Sequence, residues 1–481
     1  MLRLRAVPGQ AIQRLWGGHK GKKMGSSESR GSQFRWSYGY FLVFLLVSFA
    51  LNYPGRTNAD SQFQLIQVQV TPIIGDWHGP ITTRIWNLFG PVIGQPSGAL
   101  LIDCLVFSLF AGVIPRFANH TRYTLPITIA DIMLKIALVA TAGIIYKDVL
   151  LTFLLLSITA IFAFRRPETN SYKSPFCALV LIACLIRPSN FLVGIISLLL
   201  FLIITFDRRH AFWRAAIIGT TAFLLAIPLT SYANKVLLRS QDTYSERQLI
   251  LFDIAGISNR SGTDLFRTEG GWNTRALPSV DRCFTPHQWD SLSFWGQCPQ
   301  YYWAYDAAVR RYGKAAPIRW WLAAIVHHPE AYLLHRALFV KKLLWTWKPV
   351  TQSPDDVQNT QVSRVRHPYY WKVPEKGGHW AIQMWRDSAV ASFFIAISDL
   401  ALAHRIIYLA TMLGSLSILY LTWRQRCLPA TLAASVALGN FAMLVFFGVS
   451  NEGRYLFPTI ACSLYGAIIL WRCRLPAHYS V

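Results

Sequence analysis

Long apolar runs recur along this chain and restrict its fold more than any other feature. A helix that crosses a bilayer needs about 20 mostly apolar residues. Residues 40–51, YFLVFLLVSFAL, open a series of such runs. Ranges 37–52, 97–114, 123–146, 149–164, 174–186, 191–206, 215–233, 404–423, 428–449 and 455–471 are candidates of roughly that size, the fifth being the shortest and open to extension through Arg187 or a re-entrant reading. With 53% hydrophobic and 15% charged residues and a mean hydropathy of +0.32, the expectation is an all-α polytopic membrane protein of about ten transmembrane helices. It divides into a basic cytoplasmic tail (1–36), an N-terminal membrane region (37–233) with a first external loop at 53–96, an extracytoplasmic region (234–403) between the seventh and eighth helices, a C-terminal membrane region (404–471) and a tail (472–481).

The formal charge of +24 would suggest nucleic acid in a soluble chain. Its distribution argues otherwise. Basic residues crowd the first 36 positions and then alternate short connections, as Arg116 and Arg122, Arg165 and Arg166, Arg208 and Arg209, Arg424 and Arg426, Arg472 and Arg474. That is the positive-inside pattern. It implies a multi-pass protein of the cytoplasmic (inner) membrane with both termini in the cytoplasm, and membrane lipid rather than nucleic acid as its partner.

The same sidedness sorts the cysteines. Cys104, Cys177, Cys184 and Cys462 sit in apolar runs, and Cys427 and Cys473 at cytoplasmic ends, where all read as small hydrophobes. Cys283 and Cys298 fall in the external region, an oxidising space, and are expected to form a disulfide.

Against the prevailing bias, the external turns carry Asp60, Asp76, His78, Lys147, Asp148, Arg187 and Arg454. Charge is costly in hydrocarbon, so acids and bases gathered at one depth suit a polar reaction beside lipid. Asp60 opens a short amphipathic segment, 59–70, where a carboxylate also suits a helix N-terminus. Trp295, Tyr301, Tyr302, Trp303 and Tyr305 fit either stacking on a sugar or an interfacial aromatic belt. His327, His328 and His335 lack the spacing of a metal motif. Asp131 and Lys135, four apart, can pair on one helical face.

The ordered set N-A-D-S (58–61), D-W-H-G-P (76–80), K-D (147–148), R-P-S-N (187–190), F-D-I-A-G-I-S (252–258) and R-Y-L-F-P (454–458) resembles the GT-C superfamily of membrane glycosyltransferases. The nearer group uses polyprenyl-phosphate sugars, as the mannosyltransferases and aminoarabinose transferases do. The resemblance implies transfer of a sugar from a polyprenyl-phosphate donor to an extracytoplasmic glycan, lipid or protein acceptor. It makes Asp60 the catalytic aspartate, gives Asp76 and Asp148 the further acidic positions, and puts Arg454 on the lipid phosphate. His78 stands where relatives have a lysine.

Chemically, Asp60 is the candidate base toward the acceptor hydroxyl, with inversion at the sugar. His78, Lys147, Arg187 and Arg454 would neutralise the departing phosphate, and Asp76 or Asp148 would hold an optional divalent cation, Mg or Mn. Two alternatives stay open: a secondary transporter or lipid flippase, whose site would start at Asp131 and Lys135, and a lipid-linked polysaccharide ligase or polymerase.

Overall fold

A computed structural model describes residues 34–53, 59–70, 74–115, 121–164, 182–186, 232–268, 277–345, 405–425, 427–450 and 453–474, with a few isolated positions between them. The expected spans at 191–206 and 215–233, most of 174–186, and Arg187 lie outside the described residues.

Helices α1 (Tyr38–Asn52), α2 (Ala59–Val70), α3 (Pro80–Trp86), α4 (Ser97–Ala111), α5 (Thr121–Ala142) and α6 (Lys147–Phe164) form the N-terminal half. α7 (Arg247–Ser261), α8 (Gln300–Tyr312), α9 (Ala315–His327) and α10 (Pro329–Trp345) form a middle unit. α11 (Arg405–Gln425), α12 (Leu428–Phe447) and α13 (Phe457–Arg474) complete the order. Two strand pairs tie distant segments: β1 (Phe34–Trp36) runs antiparallel to β3 (Val113–Pro115), and β2 (Ile74–Gly75) parallel to β4 (Ser240–Gln241).

The reading of about ten membrane crossings is overturned. Among the described residues one helix, α12, is long and apolar enough to cross a bilayer, or two if Pro80–Ile93 and α4, bent by 118°, count as a single broken span. α1 and α4 each stop at 15 residues, short of the ~20 a crossing needs. α5 has the length but carries Asp131, Lys135 and an internal Pro126.

The physical reason is that apolar runs measure core as readily as hydrocarbon. α6 is buried on nearly every side from Val149 to Ala160 and packs between α4 and α13. Its run of leucines faces other helices, which a hydropathy count cannot tell from lipid. Two buried acids inside this bundle find partners within it through one carboxylate oxygen each. Lys135 Nζ donates to Asp131 Oδ2 at 2.6 Å and to the Val113 carbonyl at 2.6 Å, and Asp103 accepts from the Trp86 indole at 3.0 Å. The ion pair is thereby closed on itself.

The middle unit has a core of its own, built from α7, α8 and the face of α9 around Phe266, Trp272, Tyr301 and Tyr305. Cys283 and Cys298 are joined there as a disulfide, with Cα atoms 5.8 Å apart. A second disulfide, Cys427 to Cys473, links the start of α12 to the end of α13, where sequence reading took two separate small hydrophobes.

On α7, Asp253 and Gly256 are three apart and share a face. A Cβ at Gly256 would come within 2.2 Å of His335 Nδ1, so only glycine admits that ring from α10. His335 Nε2 and Arg336 Nη2 then reach Asp253 Oδ1 at 3.2 and 2.5 Å, while the Trp321 indole donates to Oδ2 at 2.9 Å. Arg336 Nη1 also donates to the Gly448 carbonyl at 2.6 Å, tying this unit to the end of α12.

Candidate functional site

The centre of the site is a contact between loop 75–79 and the turn at 144–148. Lys147 Nζ lies 2.8 Å from His78 Nδ1. An ammonium can only donate, so Nδ1 accepts and the imidazole proton sits on Nε2. A cation and an N–H donor are thus set side by side, which is the chemistry that recognises a phosphate oxygen. His78 is buried, and Asp148, the next residue after Lys147, is buried at the start of α6.

α2 brings Asp60 to the same place. Asp60, Phe63 and Gln67 follow the i, i+3, i+7 spacing of one helix face. Phe63 meets the His78 ring edge to face at 6.0 Å, and Gln67 lies against the backbone at Gly75. The adjoining face is anchored by Ser61, which donates to the Ile145 carbonyl just before Lys147. The helix is therefore seated between loop 75–78 and turn 144–148, with half-buried Asp60 at its first turn.

Asp76 has a different place. Its Oδ1 accepts from both the backbone N–H and the hydroxyl of Thr243, each at 2.7 Å. Together with the β2–β4 pair this fastens the first loop to the middle unit, so Asp76 positions Trp77 and His78. A cation at Asp76 would have to compete with those two bonds. Among the described residues no group of three or more His, Cys, Asp or Glu side chains is placed to hold a metal ion, and Asp76 and Asp148 are not joined by a third ligand.

The other two candidate cations are approached through backbone. A Cβ at Gly79 would lie 2.1 Å from the Ile186 carbonyl oxygen, so loop 78–79 touches the chain one residue before Arg187. Gly453–Leu456, the turn that includes Arg454, packs on α6, and the residues before it are held by Trp289, whose N–H donates to the Val449 carbonyl at 2.9 Å. The described residues thus bring together His78, Lys147 and the start of α6, with the helix of Asp60 seated against both loops and the turn of Arg454 packed on α6.

Gly79→Ala should force loop 78–79 away from residue 186 and lower stability by about 1–3 kcal/mol. Thermal unfolding of the variant tests this; an unchanged midpoint would show that the two backbones do not meet.

Sequence reasoning missed Trp77 and Trp289. Trp77 packs 5.6 Å from Trp289 and 6.0 Å from Trp295, beside the Lys147 and His78 pair. The D-W-H-G-P string held the signal, since a tryptophan between two functional candidates shares their surroundings. Tyr301 and Tyr305, named with Trp295 as sugar-stacking candidates, are core residues. His335 belongs to the Asp253 network rather than to any metal.

Compared with models of known families, with curated proteins and with solved structures, the chain matches none.

Proposed function

We propose that the chain is a glycosyltransferase that takes a sugar from a polyprenyl-phosphate donor and passes it to an extracytoplasmic acceptor at the outer face of the inner membrane. The observation that carries this reading is the 2.8 Å contact of Lys147 with His78, whose ring also meets Phe63 of the helix that begins beside Asp60. The Lys147 ammonium and the His78 Nε2–H would face the oxygens of the donor phosphate. Charge grows on those oxygens as the glycosidic bond breaks, and donors already aimed at them stabilise the transition state more than the ground state. Polyprenyl phosphate leaves as a stabilised anion, so protonating it matters less than removing the acceptor's proton. Asp60 is the base in this scheme. Attack opposite the phosphate inverts the sugar carbon, and no step runs through a metal.

The membrane location has its own support. Leu42, Val43, Leu46 and Val47 on α1, and Leu125, Ile129 and Met133 on α5, leave apolar side chains on the outside of the bundle. Such stripes suit lipid contact, and the excess of basic residues suits an anionic membrane surface.

Incubating the purified chain with radiolabelled undecaprenyl-phosphate sugars and envelope glycans tests the proposal. Label should move from the lipid phase to the acceptor, and Lys147→Ala should lower kcat/KM about 100-fold, the scale for losing one preorganised donor. No transfer from any lipid-linked sugar, or full activity without Lys147, would sink it.

A further inference from the structure

Three indole rings meet next to the Lys147 and His78 pair. Trp77 and Trp289 both contact Trp295, whose ring stands at 76° to the first and 83° to the second, with Trp289 and Trp295 centred 5.3 Å apart. The row continues through Phe294, 4.5 Å from Trp295, to Tyr302 at 5.1 Å. Arg247, buried and paired with Asp306, lays its guanidinium 3.7 Å from the centre of the Tyr302 ring, a cation–π contact that pins the far end. The rings are thus fixed from behind, yet Trp295 remains 45% exposed and Trp303, stacked edge to face on Tyr302, 55% exposed. Rigid aromatic surface left in water beside a polar site is a feature of ligand-binding faces.

We propose that this row is a saccharide platform, on which a pyranose unit of the acceptor glycan lies against Trp295 and Trp77. The inference rests on the glycosyltransferase reading and names the substrate class of the same site. Trp77 and His78 are consecutive, so their Cα atoms are about 3.8 Å apart. Two hydrogen bonds to Asp76 lock the backbone that presents them. The loop that presents His78 to Lys147 thus also carries the indole that reaches Trp289 and Trp295.

A pyranose offers a face of C–H groups to an indole and keeps its hydroxyl rim in water, whereas an isoprenoid chain is served best by a continuous aliphatic groove. Here the lining is aromatic: Trp77, Trp289, Trp295, Phe294 and Tyr302.

The test is saturation-transfer NMR on the full chain in a non-glycosidic detergent, with cellohexaose, mannohexaose and chitohexaose as probes. At least one should receive saturation on its ring protons. Trp295→Ala should weaken its binding about tenfold, and Trp295→Tyr should keep most of it. In the transfer assay Trp295→Ala should raise the acceptor KM while the donor KM and kcat hold. Absence of saturation on all three sugars, or equal binding by Trp295→Ala, would overturn the platform. So would saturation of the prenyl protons of geranylgeranyl phosphate that Trp295→Ala abolishes, since that would give the rings to the lipid. Sugar binding that depends on Trp295 in a chain without transferase activity would sink the glycosyltransferase reading alone. Transfer with an unchanged acceptor KM in Trp295→Ala would sink the platform alone.

Discussion

Arg336→Ala is expected to cost about 3–5 kcal/mol of stability, the range for leaving one member of a buried ion pair alone. Asp253 is fully buried on α7 and accepts from His335, Arg336 and Trp321. Burial pushes its pKa up, but the Arg336 guanidinium and His335 more than offset this and hold it below the usual carboxylate value. Without Arg336 the carboxylate would be stranded, and the Gly448 carbonyl would lose its donor. Denaturant unfolding followed by tryptophan fluorescence reads the loss. A double-mutant cycle with Asp253→Ala separates the pair from the carbonyl bond, because removing both charges should recover part of the stability. A loss under 1 kcal/mol would mean that the pair is hydrated rather than buried.

The same network fixes the sign of a pH dependence. Burial lowers the His335 pKa below its ordinary value, with Asp253 opposing only in part. As pH falls through about 6.5 the unfolded chain takes up the histidine proton before the folded one, so stability falls. Asp253 acts in the same direction lower down. Its folded pKa is depressed, so the unfolded carboxylate protonates first near pH ~4, and its contribution is lost as pH drops through the folded value. Stability of the middle unit should therefore decline steadily on acidification from neutrality. A midpoint that rose toward pH 5 would contradict both assignments.

How much of this was legible in the sequence follows from what each residue's signal depends on. A four-residue spacing is local, and Asp131 and Lys135 pair as that spacing allows, at 2.6 Å. The charged turns between apolar runs are local too, and two of them meet through His78 and Lys147. The helix lengths were not legible. Hydropathy at 97–114 records that side chains avoid water, and α4 satisfies that preference by packing on α1 and α6.

Asp253 stood inside a quoted motif without a role, because its partners lie about 80 positions away on α10. Nothing local to F-D-I-A-G-I-S announces His335 or Arg336. Only Gly256 hinted that something must approach that face. The bonds of Asp76 were hidden in the same way, since its partner Thr243 lies 167 positions on.

Asp60→Asn should lower kcat for sugar transfer by a factor of roughly 10²–10⁴, the range for a positioned general base, while leaving the fold intact. Asparagine keeps the size of the side chain and can still sit at the first turn of α2, where Asp60 is half-buried, while the charge and basicity of the carboxylate are lost. The loss should fall on kcat more than on the donor KM, because in this scheme the donor phosphate is held by Lys147 and His78 on the neighbouring loops. Lys147→Ala should lower kcat and raise the donor KM together, with a retained pH profile. Asp60→Glu should restore part of the rate if the carboxylate works as a base, since one added methylene can be absorbed at a half-buried position. A turnover within a few-fold of the unmodified chain in Asp60→Asn would remove Asp60 from the reaction. The base would then have to be sought at Asp148, the other carboxylate beside the Lys147 and His78 contact.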